Sequence, residues 1–370
     1  MKYRFLEDCC DILDKQRVPI KGTDRQHGDY PYYGANGLQG YIDDYIFDDE
    51  LVLLAEDGGS FGSKEKPIAF RVSGICWVNN HAQVLKPHQD IDVDYLCYAI
   101  MFYPVDALVN GSTRQKLTQS AMRKMKIPSY ELSKQKYIAR QLQLIDNIIA
   151  KYKSQLSIID NIIKSRFIEM FGDLETNPKG WKTTTFDDVS VKITDGEHAT
   201  VPRVEDGYIF LNARNVLKAG KIDLTGVTYI SEENHNRIYK RCNPEPGDIL
   251  LTTTGTIGNV AIVPEMDAFS MDRGITLIKQ DRSLINSVFF AVAMQMDSMQ
   301  MHMKNGIHAS AIGHLFMNKV KALPIFVPPL DLQNQFADFV ALTDKSKFAV
   351  RQSIDTLQTL KAKLMQDYFG

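Results

Sequence analysis

Thr252 to Asn259 reads TTTGTIGN: four threonines, two glycines and an asparagine within eight residues. Threonine hydroxyls and backbone N–H groups left open by glycine suit contact with phosphate oxygens or base edges of a nucleic acid. Thr253, Thr254, Thr256 and Asn259 are the candidate contacts. No Gly-Lys-Ser/Thr follows, so this is not the phosphate loop of a nucleotide hydrolase. In the N-terminal half the corresponding turn is GGSFG, which offers Ser60. Two polar loops open on Asn-Gly. Asn110 to Gln119 carries Arg114, Gln115 and Lys116; Asn305 to His314 carries His308 and Ser310. Such side chains pair with guanine or adenine edges or grip phosphate. Asn212, Arg214 and Asn215 follow a strand expected over Tyr208–Leu211, and Arg273 sits in a polar break between strands. An ordinary tight turn, a solvated connector or a surface arginine is the plain alternative at each place.

No catalytic set accompanies these residues. The Asn/Asp-Pro-Pro-Tyr/Phe pattern of adenine methylation is absent, since Val327-Pro328-Pro329-Leu330 has the wrong ends. The glycines between Glu56 and Gly62 do not make an S-adenosylmethionine loop, and no helicase or nuclease pattern stands in its strand context. Asp195-Gly196-Glu197-His198 has the residue types of a metal site, but lone residues in a turn are more often solvated. His302, His308 and His314 lack coherent ligand spacing. No catalytic residue and no metal ligand is therefore assigned.

These loops need a scaffold, and the scaffold occurs twice. Leu132–Gly172 and Leu330–Gly370 align without a gap at an offset of 198 residues. Leu132, Gln135, Ala139, Leu144, Asp146, Phe171 and Gly172 recur as Leu330, Gln333, Ala337, Leu342, Asp344, Phe369 and Gly370. A repeat of this length implies duplicated architecture. In the first copy Ile138, Leu142, Ile145, Ile149, Tyr152, Leu156, Ile159 and Ile163 are spaced alternately by four and three, a heptad seam on a long helix. No proline or glycine interrupts it, and at 1.5 Å per residue it spans roughly 50–60 Å. In the second copy Phe336, Val340, Val350, Ile354, Leu357, Leu364 and Tyr368 keep the register, while Thr343, Lys347 and Lys361 fall on the seam. Each apolar stripe needs a cover, and the chain supplies both.

The preceding segments share one grammar. Each half has a strand (Leu51–Leu54; Ile249–Leu251), a Gly turn, and further strands (near Ala69–Val72 and Val84–Leu85; Val260–Val263 and Ile275–Ile278). A helix follows in each (Val93–Val109; Leu284–Lys304), then Asn-Gly, a polar loop and a Pro-ended strand. The Met-rich run from Met294 to Met303 is helix core and surface filler. The fold expected is α+β: two globular units, each followed by a long helix, the helices packed antiparallel as an intramolecular coiled coil. The boundaries are 1–130, helix 131–172, linker 173–180, 181–328 and helix 329–370.

The totals agree with a globular chain. Its 370 residues carry 43 Lys and Arg against 45 Asp and Glu, net −2, and 44% hydrophobic residues. A free-standing DNA binder is usually more basic. Basic residues cluster from Arg123 to Arg166, whereas Asp43 to Glu50 is acidic. No apolar run reaches transmembrane length, and charges interrupt the N-terminal stretch, which is not a signal peptide. Five cysteines without CxxC spacing fit reduced thiols in a cytoplasmic protein.

With PGDILLTTTGTIGNVAIV at Pro246–Val263, PPL-x-x-Q at Pro328–Gln333 and FGD…NPKGW at Phe171–Trp181, the whole chain resembles the specificity subunit of a type I restriction-modification system. It departs from the pattern where GGSFG replaces a GTIG turn and where the first long helix starts without the double proline. The resemblance implies two pseudo-twofold-related target recognition domains, each reading half of a bipartite site in double-stranded DNA. The antiparallel helices would set the gap. The partners would be two adenine methyltransferase subunits and restriction/translocase subunits. S-adenosylmethionine, ATP and Mg would act in those chains and not in this one. A protein-only coiled-coil scaffold, or an enzyme with an unrecognised site, is the alternative.

Overall fold

The computed structural model describes residues 2–63, 66–111, 115–218, 220–307 and 313–370. It divides into two compact units. Unit 1 comprises Met1–Lys153 with Gln352–Gly370; unit 2 comprises Ser154–Arg351. The division falls inside the two long helices, Leu132–Phe171 and Leu330–Phe369, so each unit holds part of both.

Unit 1 is built on a six-stranded sheet in the order Cys10–Ile12, Ala82–Pro87, Phe47–Ala55, Ala69–Val78, Tyr30–Gly34, Gly37–Ile42. Its spine is the antiparallel pair Phe47–Ala55 and Ala69–Val78, in register from Phe47 opposite Cys76 to Leu54 opposite Ala69. The run Leu51–Leu54 is apolar throughout because both its faces are covered. Val52 and Leu54 join the core that includes helix Val93–Met101, while Leu51 and Leu53 pack on the opposite face with Val72 and Val84. That alternation is the two-residue period of a strand. The helix stops at Met101, short of the expected Val109, because Pro104 disfavours helical geometry at Tyr103.

Unit 2 repeats the plan. Its four-stranded sheet runs Ser190–Asp195, Ile275–Gln280, Ile249–Thr252, Val260–Ile262, the same connectivity as the first four strands of unit 1. Ile249 and Leu251 face the helices, and Leu250 packs on the other side. A second sheet orders Thr228–Ile230, Tyr208–Leu211 and Ser270–Met271, the last two parallel. Tyr30–Gly34 runs parallel to the end of Ala69–Val78 in the same way. The helix expected over Leu284–Lys304 is two helices, Ser287–Gln295 and Asp297–Asn305, broken at an extended Met296. The Gln300 amide donates to the Met294 carbonyl at 2.7 Å, satisfying a group the break leaves open. Met294, Met296, Met299 and Met303 are buried, and Met301 is exposed.

In unit 1 the start of the first long helix lies antiparallel to the end of the second. Tyr130 donates to Tyr368 O at 3.3 Å, and farther along Asp146 meets Lys361 at 2.6 Å. In unit 2 Asp160 meets Lys347 at 2.7 Å, and Phe167 and Phe171 pack edge-on against Phe336. Ile138, Leu142, Ile145, Ile149 and Ile163 are buried on this seam, and Tyr152, Leu156 and Ile159 are half-buried. Val350 and Ile354 are buried, and Leu357 and Leu364 half-buried. Each fully buried aromatic or aliphatic side chain contributes roughly 1.5–3 kcal/mol. The lysines on the second helix's seam thus answer carboxylates that flank the first helix's seam, and polar residues at seam positions are a device that fixes register in helix pairs.

A buried glutamine locks each helix start to its own unit. Gln135 accepts from the N–H of Asp92, the residue capping helix Val93–Met101, and donates to Asp90 O and Tyr130 O. Gln333 accepts from the N–H of Asn286, which caps Ser287–Gln295, and donates to Leu284 O and Pro328 O. The first long helix ends at Gly172, whose φ of +87° closes the last turn against Pro178.

Candidate nucleic-acid interface

One end of the sheet in each unit gathers the loops singled out by composition. In unit 1 the Gly turn follows strand Phe47–Ala55, and the polar loop returns beside it. Leu117 N donates to Glu56 O at 2.8 Å, and Asp57 bridges Lys116. In unit 2 Leu315 N donates to Thr253 O at 2.9 Å, and Thr254 bridges His314. A third loop joins each set. Asn36 donates to Gly58 O at 3.0 Å in unit 1, and Asn259 donates to Val216 O at 2.8 Å in unit 2. Three segments distant in sequence therefore meet at the same place in both units.

The unit 2 turn is firmly made. Gly258 N and Asn259 N close onto Thr252, whose hydroxyl is also held by the Thr256 carbonyl. Gly255 and Gly258 sit at φ +74° and +92°, conformations that disfavour any side chain. Thr253 corrects the sequence expectation. It is fully buried, with its N–H on Gly274 O at 2.9 Å and its hydroxyl beside Thr276, so it shapes the turn from beneath and offers nothing to a ligand. Thr254 hydrogen-bonds the His314 ring at 2.7 Å, and Asn259 spends its amide on Val216. Thr256 is exposed.

Asn212 is half-buried and caps the short turn Ala213–Asn215, with Asn215 returning a hydrogen bond to its N–H. Arg214 and Arg273 are exposed, and neither guanidinium has a hydrogen-bond or ion-pair partner among the described residues. Burial raises Asp272, the chain neighbour of Arg273, above its ordinary value, partly offset by the Gly274 N–H. Burial would also raise Glu197, but the Ala199 N–H and Arg237 outweigh it and hold the group below its ordinary value.

Unit 1 differs in charge. Glu56 pairs with Arg17 at 2.8 Å and with Lys116 at 2.9 Å, so the Lys116 side chain, though exposed, is already engaged. Asp57 meets His81 at 2.5 Å. Ser60 is half-buried in its turn and Gln115 is exposed. Arg114, His308 and Ser310 lie outside the described residues.

Composition did not reveal that Asn36 and Gln300 donate to Gly58 O and Gly258 O of the two Gly turns, each at 3.0 Å, or that Asn80 stands exposed in a neighbouring turn. Asn80 lies in a turn whose counterpart holds Arg273, at a spacing of 193 residues, so the 198-residue offset of the helices does not align the two. The available signal was an Asx residue directly after a strand, Asn79 in one half and Asp272 in the other.

All five cysteines are buried and free. Burial pushes the thiols of Cys9 and Cys76 up to about 11 and those of Cys10, Cys97 and Cys242 up to about 12, far from a reactive thiolate at neutral pH. Among the described residues no group of three or more His, Cys, Asp or Glu is placed to hold a metal, and no helix is long and apolar enough to cross a membrane.

The sequence model of one family, described as the type I restriction modification DNA specificity domain, matches residues 1–158 and 178–359. A Haemophilus influenzae chain named for the type I restriction enzyme specificity subunit S.HindORF215P is 26% identical over 358 residues, covering 93% of this chain and 87% of that one. A crystal structure of the type I restriction-modification S subunit from M. genitalium superposes over 100% of this chain and 96% of its own. Its TM-score is 0.58 and its identity 17%. A structure described in terms of assembly and conformational transition of the type I R-M system gives a TM-score of 0.56 at 11% identity, covering 100% and 97%. At these identities the structures speak for the fold.

Proposed function

We propose a function from one premise: the chain belongs to the type I restriction modification DNA specificity family. Its work is non-catalytic. Each unit reads one half of a two-part site in double-stranded DNA, and the chain gathers the enzymes that act there. The observation that carries this reading is the loop-bearing end built twice on one strand order, with different side chains presented each time. A scaffold kept constant while its loops diverge is what recognition of two different half-sites requires.

A second repeated feature supports the partners. Leu144 and Ile162 are exposed on the first long helix, and Leu342 and Leu360 are exposed at the same 198-residue offset on the second. Exposed apolar side chains recurring at equivalent places fit two copies of one partner, here two methyltransferase subunits. Restriction/translocase subunits complete the assembly. S-adenosylmethionine, ATP and Mg act in those chains, and the complex works in the cytoplasm, where its DNA lies.

The test is methyl transfer to DNA by the purified methyltransferase partner, with and without this chain. The reading expects adenine methylation only when both are present. Methyl transfer by this chain alone, or partner activity that ignores it, would refute the reading.

A further inference from the structure

One turn is built alike in the two units and carries a different residue in each. In unit 1 the Asn79 N–H donates to Tyr33 O at 3.0 Å and the Asn79 carboxamide oxygen accepts from His81 N at 2.8 Å. His81 O in turn accepts from Glu56 N at 2.8 Å. In unit 2 the Asp272 N–H donates to Leu211 O at 2.9 Å and its carboxylate accepts from Gly274 N at 2.9 Å. Gly274 O accepts from Thr253 N at 2.9 Å. This is an Asx turn, in which a short side chain holds its own backbone two residues on. It ties the turn to the parallel strand on one side and to the root of the Gly turn on the other.

The residue between the two anchors is Asn80 in unit 1 and Arg273 in unit 2. Both are exposed, and neither side chain has a hydrogen-bond or ion-pair partner among the described residues. Their surroundings are the three loops gathered at the same sheet end. Backbone position is thus fixed twice by the same bonds, while the presented chemistry changes from a carboxamide to a guanidinium. A carboxamide matches the N6 and N7 edge of adenine, and a guanidinium matches O6 and N7 of guanine.

We propose that this Asx-turn residue is a base-reading position in each unit, Asn80 selecting an adenine in one half-site and Arg273 a guanine in the other. The inference rests on the DNA-reading function above and deepens it. A fixed backbone matters here, because a side chain reads a base only when its root is held in place.

The test uses the complex of this chain with its methyltransferase partner. The wild-type motif is first defined by base-modification sequencing. Methylation rates are then compared on duplexes in which each base pair of the motif is replaced in turn. The wild type should lose roughly 5- to 150-fold at one A·T pair in one half and at one G·C pair in the other, the range of a bidentate contact. Asn80→Ala should abolish selectivity at the first pair only, and Arg273→Ala at the second only. Arg273→Lys should restore part of the guanine preference. Unchanged selectivity in both alanine variants would overturn the proposal. So would an even loss across all positions with a smaller salt dependence, which marks a phosphate contact. A wild type that yields no two-part motif would instead sink the underlying function.

Discussion

Replacing Gln333 by alanine removes the lock between the second long helix and the helix capped by Asn286. Gln333 is completely buried, and its carboxamide satisfies three backbone groups: Asn286 N–H at 2.8 Å, Leu284 C=O at 3.1 Å and Pro328 C=O at 2.8 Å. Each group left unpaired away from water costs about 1–3 kcal/mol. The Pro328 bond is the fully buried one and the other two border solvent, so the sum is about 3 kcal/mol. At a urea slope of about 2–3 kcal/mol per molar, the midpoint should fall by about 1 M.

The chain has two tryptophans, Trp77 in unit 1 and Trp181 in unit 2, so single-tryptophan variants report each unit separately. The Trp181 transition should move in Gln333→Ala, and the Trp77 transition in Gln135→Ala. Gln333→Glu adds a sign test. A carboxylate facing two carbonyl oxygens favours its protonated form, so its folded pKa rises above the unfolded value. The penalty should then be largest at high pH and shrink as pH falls through the folded pKa. A Trp181 midpoint within about 0.2 M of wild type would refute the latch, since even one stranded group costs more.

Other perturbations probe the seam, the interior and the turn. A double-mutant cycle on Lys361→Met and Asp146→Leu should give a coupling near 1 kcal/mol, the upper end for exposed pairs, because the lysine side chain is only 19% exposed though its carboxylate partner is 38% exposed. A coupling near zero by urea denaturation would deny the pair a register role. His235, 3% exposed, bonded to the Ser270 hydroxyl at 3.0 Å and stacked on Tyr208, is held below the usual imidazole pKa by burial. Its contribution should be full above about pH 6.5 and lost as pH falls toward the folded pKa, because the unfolded state binds the proton more readily. His235→Gln should flatten that slope in the Trp181 transition. Gly258→Ala faces both a φ of +92° and a contact of 2.5 Å with Gln300. It should cost about 1–3 kcal/mol in unit 2 and weaken DNA binding measured by fluorescence anisotropy.

The long helices, Leu132–Phe171 and Leu330–Phe369, follow the ungapped repeat, whose heptad seam is a strong local signal. Lys347 and Lys361 interrupt the apolar seam in the sequence; Asp160 and Asp146 stand opposite them, and pairing across helices leaves no local signal. Strand Tyr208–Leu211 matched as expected, whereas the pair Tyr30–Gly34 and Gly37–Ile42 went unseen amid glycine, proline and tyrosine. Thr253 had the right chemistry in the wrong direction. A hydroxyl at a strand end faces core or solvent according to register, and the strand Ile275–Gln280 pairing with it sets that register. The turns that carry Asn80 and Arg273 match through the bonds of their flanking residues, Asn79 with His81 and Asp272 with Gly274, and the Asx residue after a strand is their one trace in the sequence.

The most direct measurement is base-modification sequencing of genomic DNA from cells expressing the methyltransferase partner, with and without this chain. The account predicts methylated adenines in a motif of two short halves separated by a fixed gap, present only with the chain. The same methylation pattern without it, or none with both proteins expressed, would contradict the account.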